Sequence, residues 1–204
     1  MNTFAPPPTP QQFKTLSADE LEQSMLSSLR HWDQKSDLWL FAYGSLIWRT
    51  EFDFLEQRPA TLPGYERSLC LWSRINRGTP EVPGVVFALN EGDQCEGVVY
   101  RVAADQIKTI FPPLWQREMP SGAYNPKWLM CQTPQGPVSA LSFVINPNND
   151  AYVPVMPLEQ LRQVIYAAQG INGSCIDYVL QTAAALKQAN ITDPKLEHLI
   201  DYLS

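Results

Sequence analysis

Apolar residues recur at helical spacing near the start of the chain. Leu21, Met25, Leu29 and Trp32 lie three or four positions apart and predict an amphipathic helix from Ser17 to about Trp32. Ser17-Ala18-Asp19-Glu20 has the form of a capping box, in which two side chains satisfy the orphan amides of a helix start. At Leu38 the period changes: the run to Leu46 is nearly all apolar, as in a strand covered on both faces. Shorter β-rich runs follow at Tyr65–Ile75, Gly84–Leu89 and Cys95–Val102. Turn signals at Pro63-Gly64, Arg77–Pro80 and Asn90–Asp93 separate them. Ala104–Phe111 reads as helix. Pro112-Pro113 is expected to interrupt it, with a second helical turn starting on the prolines. Trp128–Gln132 and Val138–Ile145 flank Thr133-Pro134-Gln135-Gly136 as a hairpin. Helical patterns close the chain at Leu158–Gln169, about Cys175–Gln188, and Pro194–Leu203.

Strands in the middle and helices mainly at the ends argue an α+β fold with a mostly antiparallel sheet or small β-barrel flanked by helices. Residues 1–16, rich in proline and glutamine, read as a flexible arm. Residues 17–204 form one expected domain, with no repeat and no linker inside residues 30–204.

Composition narrows the chemistry by exclusion. With His31 and His198 as the only histidines, a histidine-rich metal cage is excluded and a Ser-His-Asp site has little room. His31 reads as a surface residue at the end of its helix. Cys70, Cys95, Cys131 and Cys175 contain no C-x-x-C pair and read as free, partly buried thiols; no metal site is expected. A net charge of −6 over 204 residues argues against nucleic acid as a partner. No apolar run reaches the roughly 18 residues of a membrane span, and the start of the chain has no signal-peptide pattern. Phosphate-loop, dinucleotide-binding, G-x-S-x-G and H-E-x-x-H patterns are all missing.

Three segments remain as candidates. Tyr43-Gly44-Ser45-Leu46 ends the first buried strand; a glycine there admits close approach of a ligand to backbone amides, which suit a carboxylate. The same residues also fit an ordinary strand-to-loop turn. Glu118 stands among Leu114, Trp115 and Met119. In a poorly hydrated pocket its pKa would rise and make it a better base near neutral pH; on a helix surface it would be half of an ion pair. Arg117 is expected to point away from it, because successive helix residues do not share a face. Arg77–Gly84 is a stiff loop between strands, or plain turn chemistry. Trp72, Tyr124, Tyr152 and Tyr178 are possible pocket walls or simple core.

Taken together and in order, these motifs resemble the ChaC family of γ-glutamylcyclotransferases. The resemblance rests on Tyr43-Gly44-Ser45-Leu46-Ile47-Trp48, Arg77-Gly78-Thr79-Pro80-Glu81 with Pro83-Gly84, and Cys95–Val102. It continues through Arg117-Glu118-Met119 with Gly122 and Tyr124, and through Asp177-Tyr178. It spans roughly residues 38–188; the N-terminal part, Pro112-Pro113 and Val179 depart from the family pattern. It implies a γ-glutamylcyclotransferase-like fold and cytosolic cleavage of glutathione to 5-oxoproline and cysteinylglycine without a cofactor. It further implies Glu118 as the catalytic residue and Tyr43, Gly44, Ser45 and Leu46 as the substrate loop. A monomer or weak dimer is the expected working state. Two other readings share these residues: a cyclotransferase for other γ-glutamyl amino acids or amines, and a non-catalytic γ-glutamyl-binding module.

Overall fold

The computed structural model describes residues 14–204, so the expected arm lies, through residue 13, outside the described residues. At the described end of the arm, the Leu16 amide donates to the Pro120 carbonyl at 2.8 Å. Helix α1 (Ala18–Leu29) starts on the expected capping box, with Ser17 and Glu20 exchanging both side-chain bonds. It packs on α2 (Ile107–Glu118), where the Trp115 indole N–H donates to Ser24 Oγ at 3.2 Å.

Strand β1 (Leu38–Ala42) pairs antiparallel with β3 (Gly84–Val102) and parallel with β5 (Val138–Ile145), so both its edges and both its faces are covered. Alternation then divides its side chains. Leu38, Leu40 and Ala42 enter the large core beneath the helices. Phe41 joins Leu62, Leu89, Val99, Cys131 and Val144 in a smaller cluster built almost entirely from strands, as expected inside a curled sheet. The strand order is β2-β3-β1-β5-β4, where β2 is Glu56–Ser73 and β4 is Tyr124–Cys131. The two outer strands meet where Thr61 and Gln132 exchange backbone bonds of 2.8 and 2.9 Å. The result is the expected α+β architecture: a mostly antiparallel sheet curled toward a small barrel and flanked by helices.

Two local expectations are corrected. Pro63-Gly64 and Asn90–Asp93 do not end strands; β2 and β3 run through them as one long antiparallel ribbon. Register passes from Pro63 opposite Gln94 to Tyr65 opposite Glu91. Both turn signals therefore fall at one bulge, with Gly64 at φ +82° absorbing the extra bend. Pro112-Pro113 does not interrupt α2 either. Both prolines are exposed, and the carbonyls they leave unpaired, on Lys108 and Thr109, belong to exposed residues that water can reach.

Helices α3 (Leu158–Ala167), α4 (Cys175–Gln188) and α5 (Pro194–Leu203) follow, with Ser174 capping α4 and Asp193 capping α5. A short hairpin, β6 (Gln169–Gly170) and β7 (Gly173–Ser174), joins the first two. All four cysteines are free and buried, and burial pushes the thiols up to about 12 at Cys70 and Cys131 and about 11 at Cys95 and Cys175. Among the described residues no His, Cys, Asp and Glu side chains are grouped to hold a metal, and no helix is long and apolar enough to cross a membrane.

Candidate active site

Strand β1 ends at Ala42, and the chain turns at once into a single 3₁₀ turn, Ser45–Ile47. The first amides of such a turn have no carbonyl partner within it, so Ser45 and Leu46 carry donors free of the turn itself. The chain before the turn is held from two sides. The Tyr43 hydroxyl donates to the Phe143 carbonyl at 2.8 Å, and Arg67 Nε donates to the Tyr43 carbonyl at 2.6 Å. Arg67 is buried on β2, with its other nitrogens bonded to the Asp193 carboxylate and the Glu96 carbonyl. One guanidinium thus ties the loop to both strands of the ribbon and to the cap of α5.

This loop forms one wall of a cavity of about 530 Å³, within the roughly 300–1,000 Å³ typical of small-ligand sites. Glu118, the last residue of α2, forms another. Its side chain keeps 15% of its exposure, and burial pushes its carboxyl pKa upward. Arg117 and Arg49 partly oppose that rise, and Glu51 adds to it. Arg117 does not point away, contrary to expectation. Its Nε lies 3.1 Å from Glu118 Oε1, while Nη2 donates to Ser45 Oγ at 3.0 Å and Nη1 to the Arg49 carbonyl at 2.6 Å. At the end of a helix the long side chain folds back over its neighbour once those two acceptors anchor its tip. The guanidinium therefore spans the catalytic candidate and the substrate-loop candidate.

The third candidate segment reaches the same cavity through Arg77, whose guanidinium sits 5.4 Å from the Tyr178 ring and 5.7 Å from the Trp48 ring. The β6–β7 hairpin fixes the chain beside it: Ile171 and Asn172 amides donate to the Ile75 and Asn76 carbonyls at 2.9 and 3.0 Å. Of the aromatic walls considered, Trp72, Tyr124 and Tyr178 line the cavity, whereas Tyr152 pairs with Leu71 in an isolated bridge outside the lining. Asp177 is exposed on α4 while its neighbour Tyr178 turns inward. His31 and His198 are both exposed and neither lines the cavity.

Residues with no signal in the sequence complete the site. Arg49 and Glu51 follow the 3₁₀ turn, and Phe87 faces in from β3. Four arginines (49, 74, 77 and 117) and two glutamates (51 and 118) line the cavity, a cationic hollow in a chain of net charge −6. Such a focus favours an anionic small molecule. Chemically the site offers a carboxylate with an elevated pKa, amide donors for a carboxylate or carbonyl, and buried phenols that stay protonated: burial holds Tyr43 and Tyr124 well above the usual range.

A family model described as ChaC-like protein matches residues 38–204. A glutathione-specific gamma-glutamylcyclotransferase of Escherichia coli K12 is 31% identical over 185 residues, covering 90% of this chain and 80% of its own. The human glutathione-specific gamma-glutamylcyclotransferase 1 is 33% identical over 151 residues, covering 72% and 68%. Among solved structures, a yeast gamma-glutamyl cyclotransferase specific to glutathione superposes with a TM-score of 0.76 at 21% identity, over 83% of this chain and 96% of that one.

Proposed function

Since the chain belongs to the ChaC family, we propose that it is a glutathione-specific γ-glutamylcyclotransferase that releases 5-oxoproline and cysteinylglycine. The observation that carries this reading is the meeting of Glu118 and the Tyr43–Leu46 loop in one cationic cavity, bridged by Arg117.

A γ-glutamyl amide contains its own nucleophile. Its α-amine attacks the γ-carbonyl carbon, a C–N bond forms to close the five-membered lactam, and the C–N bond to the cysteinyl nitrogen breaks. Two things oppose this in water: the amine is mostly protonated, and the chain is extended. Glu118 removes the first obstacle by taking the proton from the α-ammonium and returning one to the departing nitrogen, a role worth about 10²–10⁴-fold. The elevated pKa of its carboxyl brings base and substrate closer in proton affinity. The Tyr43–Leu46 amides remove the second by holding the α-carboxylate or a carbonyl oxygen, so that the chain folds back; positioning of this kind contributes up to about 7–11 kcal/mol. The expected setting is the cytosol, with the protein acting as a monomer or weak dimer.

Incubation with glutathione, oxidised glutathione and γ-glutamylalanine in separate reactions tests the reading. 5-Oxoproline from reduced glutathione alone is the expected result. Release from γ-glutamylalanine with glutathione inert would make the substrate a different γ-glutamyl compound, and binding without product would make the protein a binding module.

The pH dependence follows from the direction of the Glu118 shift. The carboxylate is the working form of the free enzyme, and burial raises its folded pKa above that of an ordinary glutamate. kcat/KM therefore falls with decreasing pH on a limb set above the ordinary carboxylate range. Arg117→Met removes a cation that pulls this pKa down, and the limb should move to still higher pH. A pH–rate profile of the two proteins checks both statements.

A further inference from the structure

Ring closure places negative charge on the γ-carbonyl oxygen, and that charge needs a donor at the moment it forms. Most side-chain donors around the cavity are already engaged. Arg117 is engaged with Ser45, Arg49, Glu51 and Glu118, and the Tyr43 hydroxyl donates to the Phe143 carbonyl.

Tyr178 is placed differently. It enters from the first turn of α4 and is 5% exposed. Its ring is held between Phe87, with centroids 5.7 Å apart, and the edge of Trp48, at 6.3 Å. Its oxygen accepts the Phe87 backbone N–H at 3.0 Å. A phenol oxygen accepts through its lone pairs and donates through one proton. The accepted amide therefore leaves the proton available, and it has no acceptor among the described residues. The oxygen also adjoins the substrate loop: a Cβ built on Gly44 would stand 3.4 Å from it. The bare backbone of Gly44 thus leaves the hydroxyl uncovered beside the amides that follow. Burial keeps the phenol protonated throughout the neutral range, and the incoming amide polarises the O–H bond further.

Resting on the cyclotransferase reading above, the geometry points to Tyr178 as a second catalytic residue. Its hydroxyl donates a hydrogen bond to the γ-carbonyl oxygen while that oxygen carries the charge of the tetrahedral intermediate. The phenol proton is not transferred; it strengthens its bond to the oxyanion and relaxes when the amide C–N bond breaks and the lactam carbonyl re-forms.

Two variants test this on reduced glutathione. Tyr178→Phe keeps the ring and removes the donor; kcat should fall by about 10²-fold or more, as for loss of one oxyanion donor, with KM changed only a few-fold. That variant also leaves the Phe87 amide without its acceptor, so a second replacement, a ring-fluorinated tyrosine at 178, keeps ring, oxygen and amide bond while making the phenol more acidic. It should retain activity at neutral pH and lose it on an alkaline limb displaced to lower pH than in the wild type. A merely structural tyrosine would leave that limb unmoved. A Tyr178→Phe kcat within threefold of wild type, or coincident pH profiles for the fluorinated and native proteins, overturns the assignment. Wild-type protein that releases no 5-oxoproline overturns the cyclotransferase reading itself, and the role of Tyr178 with it.

Discussion

Glu118→Gln should release 5-oxoproline from glutathione about 10²–10⁴-fold more slowly than the wild type, with its fold intact. Glutamine matches glutamate in size, and its amide oxygen can still accept from Arg117 Nε, which lies 3.1 Å from the carboxylate. What it cannot do is take a proton from an ammonium group. The effect on stability should have the opposite sign to the effect on rate. Burial raises the Glu118 pKa in the folded chain, so folding favours the neutral form and is penalised once the carboxyl ionises. Stability associated with this group is present at low pH and lost as pH rises through the raised folded pKa. At neutral pH the uncharged glutamine escapes that penalty, and the thermal midpoint should be equal to or above that of the wild type. A lower midpoint together with lost activity would indicate that Glu118 holds the site together and does no proton transfer.

The second large effect is on stability. Arg67→Met should cost about 3–5 kcal/mol of unfolding free energy, the range for removing one partner of a buried ion pair. The Arg67 side chain is only 2% exposed. Its removal leaves the Asp193 carboxylate without its cation and the Tyr43 and Glu96 carbonyls without their donor. Because one of those carbonyls begins the proposed substrate loop, KM for glutathione should rise in whatever protein remains folded. Arg67→Met combined with Asp193→Asn should recover part of the lost stability, since the uncompensated charge is gone and Asn still caps a helix well. Urea unfolding of both variants measures the cost and the recovery.

The parts of this molecule that were legible in its sequence are those decided by local physics. Ser17 and Glu20 announce the start of α1, Ser174 and Pro194 lie at the starts of α4 and α5, and the unbroken apolar run from Leu38 becomes a strand covered on both faces. The segments containing Tyr43, Arg77, Glu118 and Tyr178 stand far apart in the chain, yet all four residues line one cavity. What escaped was set by pairing across distance. The continuity of the β2–β3 ribbon depends on Gly64 facing the Gly92 region across the sheet, which no reading of either stretch alone contains. Glu56–Leu62 carries little β signal of its own and is strand because the second half of β3 pairs with it. Arg117 turns toward Glu118 because Ser45 and the Arg49 carbonyl hold its tip, a relation between residues 68 and 72 positions apart. The two prolines in α2 are tolerated because Lys108 and Thr109, whose carbonyls they free, are exposed residues, a property of the tertiary surface.

The central claim is that the substrate supplies the nucleophile, and solvent oxygen tracks this directly. Glutathione turned over in water enriched in oxygen-18 should yield 5-oxoproline and cysteinylglycine in equal amounts, with no label introduced into either by the enzyme and no free glutamate. Free glutamate carrying one oxygen-18 in its γ-carboxyl group would show that water attacks the γ-carbonyl, and would contradict the account.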